Sequence, residues 1–212
     1  NIYIFTARIM NSKILIVIML AVVLVGCRQH EEHTMLPDDV CLKAGDIVLR
    51  CGSGITSRAV QYADGGGCYS HVGMVVDSSG VMMIVHAVPD EHDGSNDVDR
   101  VKMDAPDVFF SSMRTSNGRV MRYADSIAAR RAAAEAYRIY RKRLLFDHDY
   151  NISDTTAMYC SELVEYAYQQ AAGVSITCGA RQDVSMPAID FEQLILPSNF
   201  VESKLLTTIA TF

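Results

Sequence analysis

Three side chains carry the chemistry that this sequence offers most plainly: His71, His86 and Cys160. The two histidines lie in β-rich runs, Tyr69–Val76 and Val81–Val88, on either side of Asp77-Ser78-Ser79-Gly80, a hairpin signal. A two-residue turn at Ser78-Ser79 pairs Asp77 with Gly80 and sets His71 directly opposite His86. A register two residues away makes them diagonal neighbours, still on one face. Gly73 points to that face and leaves room there. Two readings are open: an imidazole pair that moves a proton, or an ordinary polar sheet face.

Cys160 is followed by Leu163, Val164, Ala167 and Ala171, the spacing of one buried helix face. It therefore sits in the first turn of a helix. There it is either a small core residue or a nucleophile. Unpaired N–H groups and the helix dipole would lower its pKa and receive an oxyanion.

Other charged groups are weaker candidates. Glu162 and Glu165 suit a helix start by charge alone. Arg130, Arg131, Arg138, Arg141, Lys142 and Arg143 make a basic helix that reads as a solvated face. The acidic stretch 90–99 lacks EF-hand spacing. No C-x-x-C and no zinc-like Cys/His spacing occurs, so neither a metal nor a cofactor is expected.

Several elements must position these groups. Asp46–Leu49 reads as a strand entered through Gly45, and Ser53–Ala63 as a short helix capped by Ser53 or Thr56. Arg100–Met103 and Arg119–Tyr123 are strand candidates. A long helix starts at Asp125 or Ser126 and runs to about Arg143. Residues 144–158 are irregular, a helix covers Tyr159–Ala172 and stops at Gly173, and the tail from Phe191 mixes strand and loop. Strands and helices segregate, which indicates an α+β fold.

The chain has 212 residues, half of them hydrophobic, and a formal charge of −6. That is enough for one domain with a core, and the absence of basic excess excludes bulk nucleic-acid binding. Lys13 precedes twelve unbroken apolar residues, Ile14–Val25, and then Gly26-Cys27. The run is too short to span a bilayer and reads as a secretory signal. Its end resembles the lipobox of bacterial lipoproteins, which implies lipidation at Cys27. The expected organisation is a signal over 1–26, a polar tether over 27–40 and a domain over 41–212. Export would place Cys41, Cys51, Cys68, Cys160 and Cys178 in a compartment that permits disulfides, and an odd number cannot all pair.

The stretch Asp147–Tyr168, with Tyr-Cys-Ser-Glu-Leu-Val around Cys160, resembles the YiiX/YebB-like branch of the NlpC-type cysteine hydrolases, which are circularly permuted papain-like proteins. Ser70-His71-Val72-Gly73-Met74-Val75, Gly45-Asp46, Phe146-Asp147 with Asp149-Tyr150, and Ile195–Phe200 match in kind. The likeness runs from about Gly45 to Leu205. It implies a small antiparallel sheet packed against a Cys-bearing helix. It further implies Cys160 as nucleophile, His71 as base and His86 as the group that orients His71. An acid is the usual expectation at that third position, and here the pair is His86-Ala87.

The resulting expectation is an envelope-anchored thiol amidase or peptidase, in the outer membrane if the cell is Gram-negative. Its partners would be a membrane, through the lipid, and a peptide or amide substrate derived from peptidoglycan. A lipid acyltransferase or thioesterase using the same Cys–His pair would need an apolar acyl groove. A non-catalytic envelope binding module would keep the fold without needing the triad. A purely structural lipoprotein would leave the residues around Cys160 unexplained.

Overall fold

The structure is a computed structural model that describes residues 32–91, 94–186 and 189–212. The signal expected over 1–26 and Cys27 lie outside the described residues. Among the described residues no helix is long and apolar enough to cross a membrane.

The chain first lays down β1 (Ile47–Cys51), the helix α1 (Ile55–Ala63), β2 (His71–Ser78), β3 (Val81–Val88) and β4 (Arg100–Asp104). A short helix α2 (Pro106–Phe109) leads to β5 (Asn117–Tyr123) and the long α3 (Ser126–Arg141). Then come β6 (Leu145–Phe146), β7 (Ala157–Met158), α4 (Cys160–Ala172), β8 (Gln182–Met186) and β9 (Ile189–Leu194), with α5 (Pro197–Val201) and β10 (Leu206–Thr211) closing the chain. Eight strands form one sheet in the order β10-β5-β1-β2-β3-β4-β6-β7, and β8 pairs with β9 separately. The fold is α+β, as expected. Its sheet is larger than the small one expected, because the C-terminal tail adds β10 and residues 144–158 add β6 and β7.

The central strands are buried on both faces, which explains their near-continuous apolar runs. On one face Ile47, Leu49, Val72, Met74, Val85 and Val101 belong to the main core with α3 and α4. The α3 residues Ala128, Ala129, Ala132, Ala133 and Ala136 are all buried, and their small side chains let the helix approach closely. Asp125 caps α3, accepting from the N–H groups of Ile127 and Ala128 at 2.9 and 3.1 Å. The arginines expected on the solvated side of α3 are exposed. On the other face a smaller cluster gathers Val48, Val75, Ile84, Val120, Phe109 and Phe110, with Leu36, Val40 and Leu42 against it. The segment expected as tether is therefore docked where it is described. Met35 N–H donates to Phe110 O at 2.8 Å and Thr34 bridges Ser111, so these residues lie against the domain.

The β2–β3 turn differs from the expected one. Ser78 pairs with Val81, and Ser79 and Gly80 form the turn with φ of 58° and 86°. A two-residue hairpin prefers positive φ at both central positions, so glycine belongs inside the turn rather than beside it. The helix α1 begins at Ile55 with Gly54 as its N-cap and no side-chain cap, so neither Ser53 nor Thr56 serves. Cys41, Cys51, Cys68, Cys160 and Cys178 are free thiols here.

Gly45, just before β1, lies close against α3. Its φ is 92°, and a Cβ there would lie 2.6 Å from Ala129 Cβ of α3. The Tyr168 hydroxyl donates to its carbonyl at 2.7 Å, tying α4 to the same point. Gly45→Ala combines a disfavoured φ with overpacking and is expected to cost about 2–4 kcal/mol. Urea unfolding measures it, and a loss under about 0.5 kcal/mol, the scale of an ordinary surface change, would contradict this account of the contact.

Candidate active site

His71 opens β2 and His86 lies near the end of β3. The observed register pairs Met74 with Val85 and so makes the two histidines diagonal rather than directly opposed, on one face. His71 Nε2 and His86 Nδ1 are 2.9 Å apart. Gly73 makes this possible, because a Cβ there would lie 3.2 Å from His86 Cβ and 2.8 Å from Ile84 Cγ2.

Behind His86 stands Asp104, a residue that the sequence reading missed. Its Oδ2 is 3.2 Å from His86 Nε2. The β3–β4 register pairs His86 with Lys102 and Ile84 with Asp104, so Asp104 is a diagonal neighbour of His86 on the same face. Lys102 Nζ lies 3.4 Å from Asp104 Oδ1, and Arg114 lies 3.3 Å from Oδ2. Burial alone would raise this carboxyl, but His86, Lys102 and Arg114 together hold it down at about 2. The signal for it was the alternation Arg100, Lys102, Asp104 along β4, a row of charges on one face of an inner strand.

The ionised carboxylate fixes the tautomers in turn. An anion can only accept, so His86 carries its proton on Nε2 and offers the Nδ1 lone pair. His71 must then donate from Nε2, which leaves its Nδ1 unprotonated. The outcome is a neutral imidazole with a free basic nitrogen.

Burial is the largest reason that His71 stays neutral, lowering its pKa well below the usual value, with Arg50 and His86 adding to the effect. Burial also lowers His86, against the pull of Asp104. Arg50 on β1 pairs in register with His71 and is 3% exposed. It donates to Phe109 O at 3.0 Å, pairs with Glu91 and stacks 4.7 Å above the Phe109 ring. That ring also covers both imidazoles, with centroids 5.6 Å from His71 and 5.1 Å from His86.

Cys160 begins α4, as expected, and Gly173 ends that helix with φ of 68°. Its Sγ lies 3.9 Å from the Ser161 hydroxyl, and the backbone N–H groups of Val72, Ser161 and Cys160 itself favour its charged form. Val72 follows His71 directly, so the thiol rests against the start of β2. Cys160 and His71 open into one cavity of about 500 Å³, whose walls include Arg50, Glu91, Arg114 and Tyr150. A lowered thiol pKa was expected, but the structure gives the reverse. Burial raises it, and the N–H groups and the Ser161 hydroxyl offset that only in part. With His71 neutral as well, the resting pair is thiol and imidazole rather than an ion pair.

The neighbouring motifs serve as supports. Asp147 accepts from the N–H groups of Asp149 and Asn151 at 2.9 and 2.6 Å, and this turn holds Tyr150 at φ of 53° on the cavity wall. Burial, with smaller contributions from Cys160 and Asp147, pushes Tyr150 up to about 12, so it remains a phenol. The Tyr159 hydroxyl accepts from Ile195 N–H at 3.0 Å and anchors the segment that follows β9. Glu165 accepts from Ser175 and Thr177 and ties down the loop after α4. Glu162 accepts from Tyr159 N–H at 3.3 Å, and burial pushes it up to about 8. Both glutamates line a separate hollow, away from Cys160.

The model of a permuted papain-like amidase enzyme family, YaeF/YiiX, C92, matches residues 41–210. No curated protein matches the chain by sequence. Among solved structures, the metalloprotein yiiX from Escherichia coli O157:H7 is similar at 23% identity with a TM-score of 0.64, over 80% of this chain and 97% of that one. This likeness shows the fold. Among the described residues no three His, Cys, Asp or Glu side chains are placed to hold a metal ion, and the His71–His86–Asp104 donors are committed to one another.

A neutral resting pair has a measurable sign. Thiolate forms only as pH passes a thiol pKa raised above the ordinary ~8.5. Iodoacetamide labelling of Cys160 is therefore expected to keep climbing above pH 8.5, with no plateau at neutral or acid pH. A flat rate from pH 5 to 8 would show a preformed ion pair instead.

Proposed function

The chain belongs to the permuted papain-like amidase family, and from that premise we propose that it cleaves an amide with Cys160 as nucleophile and His71 as general base. The observation that carries this reading is the Asp104–His86–His71 chain, which ends in the cavity that holds Cys160. His71 Nδ1 takes the thiol proton as Cys160 Sγ attacks the carbonyl carbon. N–H groups at the start of α4 face the developing oxyanion. His71 then protonates the leaving amine, and water hydrolyses the thioester with His71 again as base. His86 and Asp104 are positioning residues, which keep His71 in the tautomer that can accept.

The substrate we propose is an amide of the bacterial envelope, with peptidoglycan stem peptides or their turnover fragments first. What supports this is the address read at the N-terminus, a signal ending at Cys27 whose lipid would hold the domain at a membrane. A second reading, acyl chemistry on lipids with the same Cys–His pair, gains support from an apolar cavity that borders Cys160.

Release of new amines from peptidoglycan fragments tests the reaction. Cys160→Ala is expected to abolish it. His71→Ala is expected to lower kcat by about 10²–10⁴, the usual worth of a general base. Asp104→Asn is a sharper probe, because the amide NH2 donates to His86 and reverses both tautomers. A loss of kcat of about 10²–10⁴ with little change in KM is expected, by analogy with the wrong-tautomer effect in serine triads. An unchanged kcat in Asp104→Asn would dismiss the relay, and full activity in Cys160→Ala would dismiss the nucleophile.

The anchor has its own test. Cys27→Ser is expected to release the protein from the membrane fraction and to remove the lipid mass. A variant that still partitions with membranes at an unchanged mass would refute the lipobox.

A further inference from the structure

The chain leaves the sheet at Cys51, the last residue of β1, runs through α1 and returns just before His71, the first residue of β2. The turn after α1 folds this excursion back on itself. Gly66 N–H donates to Gln61 O at 2.8 Å and Gly67 N–H to Asp64 O at 3.0 Å. Cys68 follows and arrives where the excursion began. The Gln61 side chain spans the two ends: its Nε2 donates to Cys51 Sγ at 3.2 Å and to Cys68 O at 3.0 Å. Just beyond, the strands are already joined. Ser70 N–H donates to Arg50 O at 3.0 Å, and Gly52 N–H donates to Ser70 Oγ at 2.9 Å.

Two free thiols therefore stand at the neck of one loop. Cys68 is exposed and Cys51 is half-buried. Burial raises the Cys68 thiol, nearby Cys51 raises it further, and Arg119 opposes both. Arg119 and Cys68 line one hollow, so a fixed cation favours the thiolate at the more accessible sulfur. The other described cysteines have different neighbours. Cys160 Sγ lies 3.9 Å from the Ser161 hydroxyl, Cys178 Sγ lies 3.7 Å from the Ser203 hydroxyl, and the Cys41 carbonyl accepts from Arg122 at 2.9 Å.

We propose that Cys51 and Cys68 form a disulfide across the neck of the 52–67 loop, with a small-molecule disulfide as the oxidant. This does not depend on the reaction at Cys160. The exchange runs in two displacements. Cys68, its proton lost to solvent, attacks one sulfur of the oxidant, whose S–S bond breaks as the first thiolate leaves. Cys51, deprotonated in turn, attacks Cys68 Sγ and expels the second thiolate. The two thiolates take up the two protons, so the cysteines lose two electrons and the oxidant gains them. The new bond fastens the approach to His71 onto the end of β1. Export, as expected from residues 1–26, would supply a compartment in which such a bond persists.

Oxidised glutathione is the probe. The full-length protein is treated with it under native conditions, remaining thiols are alkylated, and unreduced peptides are read by mass. A linked pair of peptides holding Cys51 and Cys68 is expected. Cys51→Ser is expected to retain a glutathione adduct on Cys68, at least about tenfold more abundant than in the wild type, where the neighbouring thiol displaces it. The β1–β2 pairing already closes the loop, so the bond is expected to fit the native fold and to restrain the unfolded chain. That raises Tm by about 5–10 °C over the reduced protein, and Cys51→Ser under the same oxidant shows no such rise. A lasting glutathione adduct on wild-type Cys68 without the link, a link between other cysteines, or no reaction at either thiol would overturn the proposal. A Cys51–Cys68 link that leaves Tm unchanged or lowers it would overturn it as well, because the native fold would then not be shaped to hold the bond.

Discussion

The structure turns on two imidazoles buried side by side with one carboxylate behind them. Histidines 2.9 Å apart cannot both carry charge without repulsion in a low-dielectric setting, and Arg50 adds a fixed positive charge nearby. The arrangement persists because Asp104 supplies a single acceptor and thereby assigns every proton in the row. Much of the surrounding fold follows from this need. Gly73 yields the space against the His86 Cβ and Ile84. His86 itself, with Lys102 and Arg114, keeps the carboxylate ionised. Phe109 covers the pair, Phe110 stacks on Phe109, and the C-terminal Phe212 stacks on Phe110.

The Cys160 half is assembled by different means. The alanine face of α3 lets α4 lie close against the sheet, and Gly45 is the point where α3, α4 and β1 converge. Tyr159, just before Cys160, reaches the segment after β9, and Glu162 caps the same turn. The start of α4 is therefore fixed from the sheet, from the following helix turn and from the C-terminal tail. The two halves meet at the cavity that Cys160 and His71 both line, beside the start of β2.

How much of this was legible varies with the range of the interaction. The hairpin, the shared face of His71 and His86, and the helix from Cys160 to Gly173 rest on local periodicity and were readable. The turn was misplaced by one position, because Ser78-Ser79 was chosen over Ser79-Gly80 although glycine tolerates the positive φ that the turn demands. That shift converts opposed histidines into diagonal ones and leaves the face unchanged, as a period of two requires. Asp104 was missed because its role depends on β4 pairing with β3 across the long loop between them. The acid sought beside the base was looked for at position 86, whereas an imidazole stands there and the acid lies one strand further out. The size of the sheet and the apolar cavity that borders Cys160 were illegible for the same reason, since β10, β6 and β7 join the sheet through non-local pairing. A cavity, moreover, is a failure of packing that no local pattern announces.

The extra imidazole has a consequence for the kind of bond this site suits. Placing Asp104 directly against His71 would stabilise the imidazolium strongly and make His71 a better base toward the thiol. Moving the carboxylate one ring away weakens that stabilisation, while burial and Arg50 oppose the charge outright. His71 is accordingly a poorer base and, once protonated, a stronger acid. For an ester that exchange would bring little, because an alkoxide leaves with modest help. For an amide the demanding step is to protonate a nitrogen that would otherwise depart as an anion, and a strong acid held beside it is what that step requires. Burial raises the Cys160 thiol as it lowers His71, so both groups rest uncharged at the start of α4 and the start of β2.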